Sequence, residues 1–324
     1  MSKFTKALER IQEQKEIRKT PLERTEPNGA LSEKPEKSEE RIRYWEDGIA
    51  TIRNAKPEAR IVAHRFPHSL ISEQYRMLRT NLKTHLEKEG GKVFTVSSSL
   101  HDEGKTTTII NLAISLAEMG ESRVALIDGD LRRGKIAEYL GLGKDLPGLS
   151  NLLEGGLSLH QVVVRNSLKN LFIMPRGRVI KNASELFTSQ KFRDLVKELR
   201  RYFDYILIDA PPILSVVDAN LMARETDGLL MVIQSRRTPK TVMAQAHDLF
   251  LQAGVKLIGY VLTNVEYQSP DTRYYYHQYY DAEPGSKRGR IRGKYRVGAK
   301  LAEQRFLGLE QKFNHWWGKK VLKK

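Results

Sequence analysis

The sequence predicts an α/β fold, a parallel sheet with helices on both faces, and three observations predict it. Six short runs are largely apolar without alternation, as strands covered on both sides are: Val93–Val96, Arg123–Asp128, Leu171–Met174, Tyr205–Asp209, Gly228–Ile233 and Leu257–Leu262. Stretches with helical periodicity separate them, at 72–88, 105–119, 184–202, 215–224 and 239–253. Two of the runs end in aspartate, Asp128 and Asp209, and an open α/β sheet gathers its ligands beyond the carboxyl ends of its strands.

Composition sets the outer bounds. A chain of 324 residues with 40% hydrophobic residues sustains one large core plus appendages. It holds no cysteine, which excludes disulfides, thiolate nucleophiles and cysteine-ligated metals and fits a reducing cytoplasm. No apolar run approaches the roughly 18–20 residues that span a bilayer. Met1-Ser2-Lys3-Phe4 lacks a signal-peptide core, so a membrane role is expected to be peripheral or through a partner. The formal charge of +16 is unevenly placed: residues 281–324 hold 13 Lys/Arg against 4 Asp/Glu, whereas residues 1–60 hold 14 against 12. Such a basic tail suits nucleic acid, anionic lipid or an acidic protein.

The chain divides into three parts. Residues 1–60 read as an N-terminal helix and a disordered linker. Phe4, Leu8 and Ile11 share a narrow helical face, and residues 20–40 carry little to bury. Residues 61–268 carry the strand–helix alternation, although 41–68, with Trp45 and Ile61-Val62, show no clear period. Residues 269–324 form a tail.

The chemistry centres on Ser99-Leu100-His101-Asp102-Glu103-Gly104-Lys105-Thr106-Thr107, which follows one strand and opens a helix. A strand, a tight loop, Gly-Lys-Thr and a helix are the order of a phosphate-binding P-loop. The backbone amides of Ser99, Asp102, Glu103, Gly104, Lys105, Thr106 and Thr107 are then candidates to wrap phosphates. Lys105 neutralises them and Thr106 reaches Mg²⁺. Ser99 stands in place of the usual first glycine. Asp128-Gly129-Asp130-Leu131-Arg132 leaves one strand and Asp209-Ala210-Pro211-Pro212 leaves another. Thr106, Asp130 and Asp209 match the oxygen donors of a Mg²⁺ site, and Asp128 is left to accept a proton from an attacking hydroxyl. Each aspartate taken singly could equally be a strand-end turn or a helix cap. The set predicts a P-loop NTPase-type sheet that uses ATP and Mg²⁺.

These motifs resemble the bacterial tyrosine kinases of capsule and exopolysaccharide production, in their stand-alone cytoplasmic form. That family carries a Walker A loop, a second motif of apolar residues followed by Asp-x-Asp-x-Arg, and a Walker B ending Asp-x-Pro-Pro; here these are Ser99–Thr106, the run through Arg132, and Ile206–Pro212. The family's Glu-x-x-Arg-x-x-Arg assembly motif is matched by Glu73, Arg76 and Arg79, whose other reading is a solvated helix face. The family's loop commonly reads Pro-Gly where this chain has His101-Asp102, which puts a negative charge beside the phosphates, and proline often stands at the position of Gly134. The resemblance implies Lys105 on the phosphates and Asp128 as the base for a tyrosine hydroxyl.

The family's C-terminal tyrosine cluster is present too. Tyr274, Tyr275, Tyr276, Tyr279 and Tyr280 place five of 13 tyrosines within seven residues. The resemblance makes them phosphoacceptors, in trans within a ring. An aromatic RNA-stacking surface is the other reading, and no RNA-binding module accompanies it. Phe306, Leu309, Phe313, Trp316, Trp317 and Val321 then share a helical face followed by lysines, a pattern that suits either an anionic membrane surface or packing on the main domain. The resemblance also implies a membrane-embedded polysaccharide chain-length activator, a tyrosine phosphatase, a homo-oligomeric ring, and a cytoplasmic location at the inner face of the plasma membrane. Two other functions remain in view. One is a nucleotide-binding ring scaffold without catalysis. The other is a positioning-type P-loop ATPase, whose extra loop lysine would fall where Leu100 stands.

Overall fold

The computed structural model describes residues 48–265 except 119, 121, 144 and 169. The expected helix of residues 2–19, the linker 20–40, Trp45, the cluster Tyr274–Tyr280 and the basic tail lie outside the described residues. The described chain runs β1 (Ala50–Thr51), α1 (Val62–Arg65), α2 (Leu70–Glu89), β2 (Val93–Ser98), α3 (Lys105–Ala117) and β3 (Val124–Asp128). It continues through α4 (Ile136–Tyr139), α5 (Leu149–Glu154), α6 (Leu159–Val162), β4 (Val164–Arg165), β5 (Leu171–Met174), α7 (Ala183–Thr188) and α8 (Gln190–Tyr202). The last elements are β6 (Tyr205–Asp209), α9 (Asp218–Ala223), β7 (Gly228–Gln234), α10 (Lys240–Gln252) and β8 (Leu257–Thr263).

One eight-stranded sheet has the order β1-β4-β5-β3-β6-β2-β7-β8. The apolar strands β2, β3 and β5 are buried along their whole length, because helices cover both faces. Helix α3 is the central covering element. All but Thr107 of its residues are buried, with Ile109, Ile110, Leu112 and Ile114 packed against Phe94, Val96, Leu126 and Leu207 in one cluster. Each such side chain contributes about 1.5–3 kcal/mol of burial. Among the described residues no helix is long and apolar enough to cross a membrane.

Three features depart from the periodicity. The sheet is parallel except between β4 and β5, which pair antiparallel. Only residues 166–170 join them, Asn166 Oδ1 accepting from the Leu168 amide, and so short a connection closes a hairpin rather than a crossover. The helix expected over 184–202 is two helices. Ser189 adopts an extended backbone; its Oγ donates to the Leu186 carbonyl at 2.6 Å and accepts from the Phe192 amide, ending α7 and starting α8. The unassigned stretch before the first predicted strand is also built in. β1 pairs in parallel with β4, Ile61 is fully buried, and Asn111 on α3 holds Ala63 N and the Arg60 carbonyl.

Candidate active site

β2, β3 and β6 are neighbours in the sheet, so their carboxyl ends open onto one edge. Register aligns the acids: Asp128 pairs with Asp209 across β3 and β6, and Val96 pairs with Asp209 across β2 and β6. Gly129 allows that approach. Its amide donates to the Asp209 carbonyl at 2.8 Å, and a Cβ there would meet Met222 Sδ and that same carbonyl.

The loop between β2 and α3 turns through two left-handed residues, Asp102 at φ 60° and Gly104 at φ 91°. Aspartate is one of the few non-glycine residues that takes this conformation readily, so the loop can turn here without a glycine. Gly104 caps α3 without a side-chain bond, so the first amides of the helix stay available to an anion. Lys105 Nζ lies 3.6 Å from Asp130 Oδ2 and 3.6 Å from Asp209 Oδ2. Thr106 Oγ1 donates to Asp209 Oδ2 at 2.6 Å. Burial alone would lower the Lys105 pKa, but Asp209, Asp130 and Asp128 outweigh it and hold the ammonium above its usual value. Burial raises Asp209. Asp128 is pushed up to about 8, first by burial and then by the Asp209 charge.

The chemistry of the donor set fits Mg²⁺. Asp128 Oδ1 and Asp209 Oδ1 are buried without a hydrogen-bond partner, beside a threonine hydroxyl. Among the described residues no group of three or more His, Asp or Glu side chains forms a cage by itself. One hydroxyl and a few carboxylates are what a Mg²⁺ shared with nucleotide phosphates and water requires.

Not every expected residue faces this cluster. Glu103 is buried, and its carboxylate accepts from the Leu100 amide at 2.8 Å and from Thr238 Oγ1. Its carbonyl accepts from Thr263 Oγ1 at 2.7 Å. The side chain therefore shapes the loop, leaving only its amide for phosphate. Asp102 is exposed, and its carbonyl accepts from Arg237 Nη1. His101 Nε2 lies 3.2 Å from Ser215 Oγ. Ser99 Oγ is buried without a partner, and the Thr107 carbonyl accepts from Asn111 Nδ2. Thr238, Arg237, Thr263 and Ser215 carried no sequence signal, since each acts through a loop distant in the chain.

Glu73, Arg76 and Arg79 lie elsewhere, on α2. Glu73 pairs with Arg76 at 2.7 Å, Arg76 donates twice to the Pro67 carbonyl, and Arg79 Nη1 donates to the Ser115 carbonyl at 2.8 Å. Ser115 is in the last turn of α3, about 15 Å along the helix axis from Lys105. Arg132 reaches the buried Asp218, which also accepts from Ser184 Oγ. The phosphoacceptor tyrosines lie outside the described residues.

An AAA domain family matches residues 80–245. Tyrosine-protein kinase YwqD of Bacillus subtilis is 33% identical over 210 residues, which are 65% of this chain and 88% of that protein. The chain belongs to the bacterial tyrosine kinase family. Tyrosine-protein kinase ptk of Acinetobacter johnsonii is 32% identical over 218 residues, 67% of this chain but only 30% of that protein's length. The kinase domain of Escherichia coli tyrosine kinase ETK shares the fold with a TM-score of 0.59 and 26% identity, over 69% of this chain and 95% of that domain. At the carboxyl edge of the sheet, Lys105 stands between Asp130 and Asp209, and Asp128 is in register with Asp209.

Proposed function

We propose that this member of the family transfers the γ-phosphoryl group of ATP to tyrosine hydroxyls of its own cluster, Tyr274, Tyr275, Tyr276, Tyr279 and Tyr280. The observation that carries the reading is Lys105 between Asp130 and Asp209, with Thr106 bonded to Asp209 and Asp128 in register beside it. The loop amides and Lys105 bind and orient the phosphates. A tyrosine oxygen attacks the γ-phosphorus, its proton passes to Asp128, and the bond from phosphorus to the β–γ bridging oxygen breaks, so that ADP departs with that oxygen. Mg²⁺, held by Thr106 with Asp130 and Asp209, would neutralise charge on the phosphates. Burial keeps Asp128 protonated near neutral pH in the free chain, so it must be discharged before it can act as a base.

The cluster supplies an acceptor, and the relatives named tyrosine kinase support that choice over a positioning ATPase. Resemblance supports a setting in capsule or exopolysaccharide synthesis. It also supports a membrane-embedded chain-length activator, a cognate phosphatase, peripheral attachment to the inner membrane face, and transfer in trans within a ring assembled through Glu73, Arg76 and Arg79. The three parts 1–60, 61–268 and 269–324 would then be N-terminal extension, kinase and acceptor tail, with Ala50–Thr51 of the first part lending a strand to the kinase sheet.

The test is incubation with Mg-ATP and phosphotyrosine detection. Signal from the parent chain is expected, with none from Lys105→Met or from the chain with the five clustered tyrosines changed to phenylalanine. ATP hydrolysis without phosphotyrosine would support a positioning ATPase, and nucleotide binding without turnover would support a scaffold.

A further inference from the structure

Arg60 bonds to both halves of the candidate site from outside it. Its backbone carbonyl accepts from Asn111 Nδ2 at 3.1 Å, and Asn111 is fully buried on α3, the helix that opens with Lys105 and Thr106. The same Nδ2 donates to the Thr107 carbonyl at 2.8 Å, and Asn111 Oδ1 accepts from the Ala63 amide at 2.9 Å. Both polar atoms of that side chain thus tie residues 60–63 to the start of the phosphate-loop helix.

The Arg60 side chain reaches the other way. Its guanidinium lies over the Tyr139 ring, 4.4 Å from the centroid, and Nη1 donates to Tyr139 Oη at 3.1 Å. Glu58, which pairs with Arg60 Nε at 2.7 Å, donates its amide to the Tyr139 carbonyl at 2.9 Å. Gly141 lets the two backbones meet: at φ 65° and without a side chain it admits Lys56, whose carbonyl a Cβ would overlap. Tyr139 is the last residue of α4, and the first, Ile136, donates its amide to Asp128 Oδ2 at 3.0 Å. α4 is a single turn, too short to be stable alone, so what grips it sets its position.

We propose that Arg60 and Tyr139 are positioning residues, and that residues 56–63 form a strap that ties α4 to α3 and so fixes the Asp128 carboxylate relative to the phosphate loop. The part that carboxylate plays in turnover rests on the kinase reading above. Sheet register places the backbone of Asp128, but its side chain is aimed by the α4 amide, and α4 follows the strap. A shift of about 1 Å at a reacting group can cost on the order of 10²-fold in rate, so a loosened strap is read in turnover while the phosphate contacts persist.

Two measurements test the strap. Hydrogen exchange read by mass spectrometry follows α4 in the full chain with Mg-ADP and needs no turnover. Arg60→Ala and Tyr139→Leu are each expected to speed exchange over residues 135–141 by about tenfold, with α3 as protected as in the parent. Arg60 is exposed, so its truncation opens no cavity, and leucine at 139 keeps apolar bulk against the core. Tyr139→Phe keeps the ring beneath the guanidinium and should stay within about twofold of the parent. In phosphotyrosine formation, kcat is expected to fall about tenfold in Arg60→Ala and in Tyr139→Leu with KM for ATP unchanged, and the double variant should be no worse than either single. Parent-like exchange in both single variants, or additive losses in the double, overturns the strap. Faster exchange with parent kcat overturns the positioning role. A parent chain that forms no phosphotyrosine counts against the kinase reading alone, and the exchange rates still decide the strap.

Discussion

Gly134 lies directly against the carboxylate of Asp128, so close that a Cβ on residue 134 would overlap its oxygens. The missing side chain lets Asp128 fold back and accept the Ile136 amide on Oδ2 at 3.0 Å, while the Gly134 amide holds the Asp130 carbonyl at 2.7 Å. Gly134→Ala is expected to turn Asp128 out of this position. Phosphotyrosine formation should fall by on the order of 10²-fold, near the loss from Asp128→Asn, with Mg-nucleotide affinity retained. Steady-state kinetics beside a nucleotide titration measures both. Parent turnover in Gly134→Ala would show that the carboxylate position is immaterial.

The pH dependence of stability follows from the same carboxylate. An unfolded chain releases the Asp128 proton above about pH 4, whereas the folded chain holds it up to about 8. The folded state therefore binds more protons in between, and metal-free stability falls as pH rises through that window. Asp209, raised by burial, acts in the same direction. Urea midpoints in EDTA should drop between about pH 5.5 and about pH 8.5, and Asp128→Asn should flatten part of the slope. An identical slope in the variant would contradict the assignment.

Glu103 and Thr238 form the brace of the phosphate loop. Replacing Glu103 with alanine leaves the Leu100 amide and the Thr238 hydroxyl unsatisfied, at a cost of about 1–3 kcal/mol. KM for ATP should rise several-fold through a loosened loop. Thr238→Ser keeps the donor and should behave as the parent chain.

Asp102 holds a left-handed backbone that glycine adopts without cost. Asp102→Gly is expected to keep the loop and to bind Mg-ATP a few-fold more tightly, since a negative charge beside the phosphates is gone. Isothermal titration reads the shift. Weaker binding would mean that the aspartate itself contributes to the site.

Far from the chemistry, Asp227 accepts from the Lys92 and Val93 amides at 2.6 and 2.9 Å and pairs through both oxygens with Arg200. Burial would raise its pKa, but Arg200 and the two amides more than offset that and hold it below the usual carboxylate range. Asp227→Ala should cost about 2 kcal/mol, allowing for the partial exposure of the pair, with turnover per folded molecule unchanged. A thermal midpoint equal to that of the parent would show the bridge to be idle.

Much of the scaffold was legible along the chain. Runs such as Leu171–Met174 and Tyr205–Asp209 become strands at the predicted residues, because a strand covered on both faces is made largely of apolar side chains. Gly104-Lys105-Thr106 and the strand-end aspartates carry their chemistry in residue type and spacing. Ser189 shows where such reading stops: a helical period runs through it, and only its two hydrogen bonds reveal the break. The short strand Ala50–Thr51 has no period at all, and its place comes from a partner more than a hundred residues away.

The sequence by itself determined that a phosphate loop, three aspartates and a tyrosine cluster occur together, since those are local facts of composition and order. Tertiary structure alone decided that Asp128 and Asp209 stand in register, because pairing is a property of two strands. It also decided that the Glu103 side chain braces the loop, and that Gly134 lies against the carboxylate of Asp128. The register and the brace depend on chain crossings that bring distant residues within hydrogen-bonding or packing range, and no spacing along one strand encodes them.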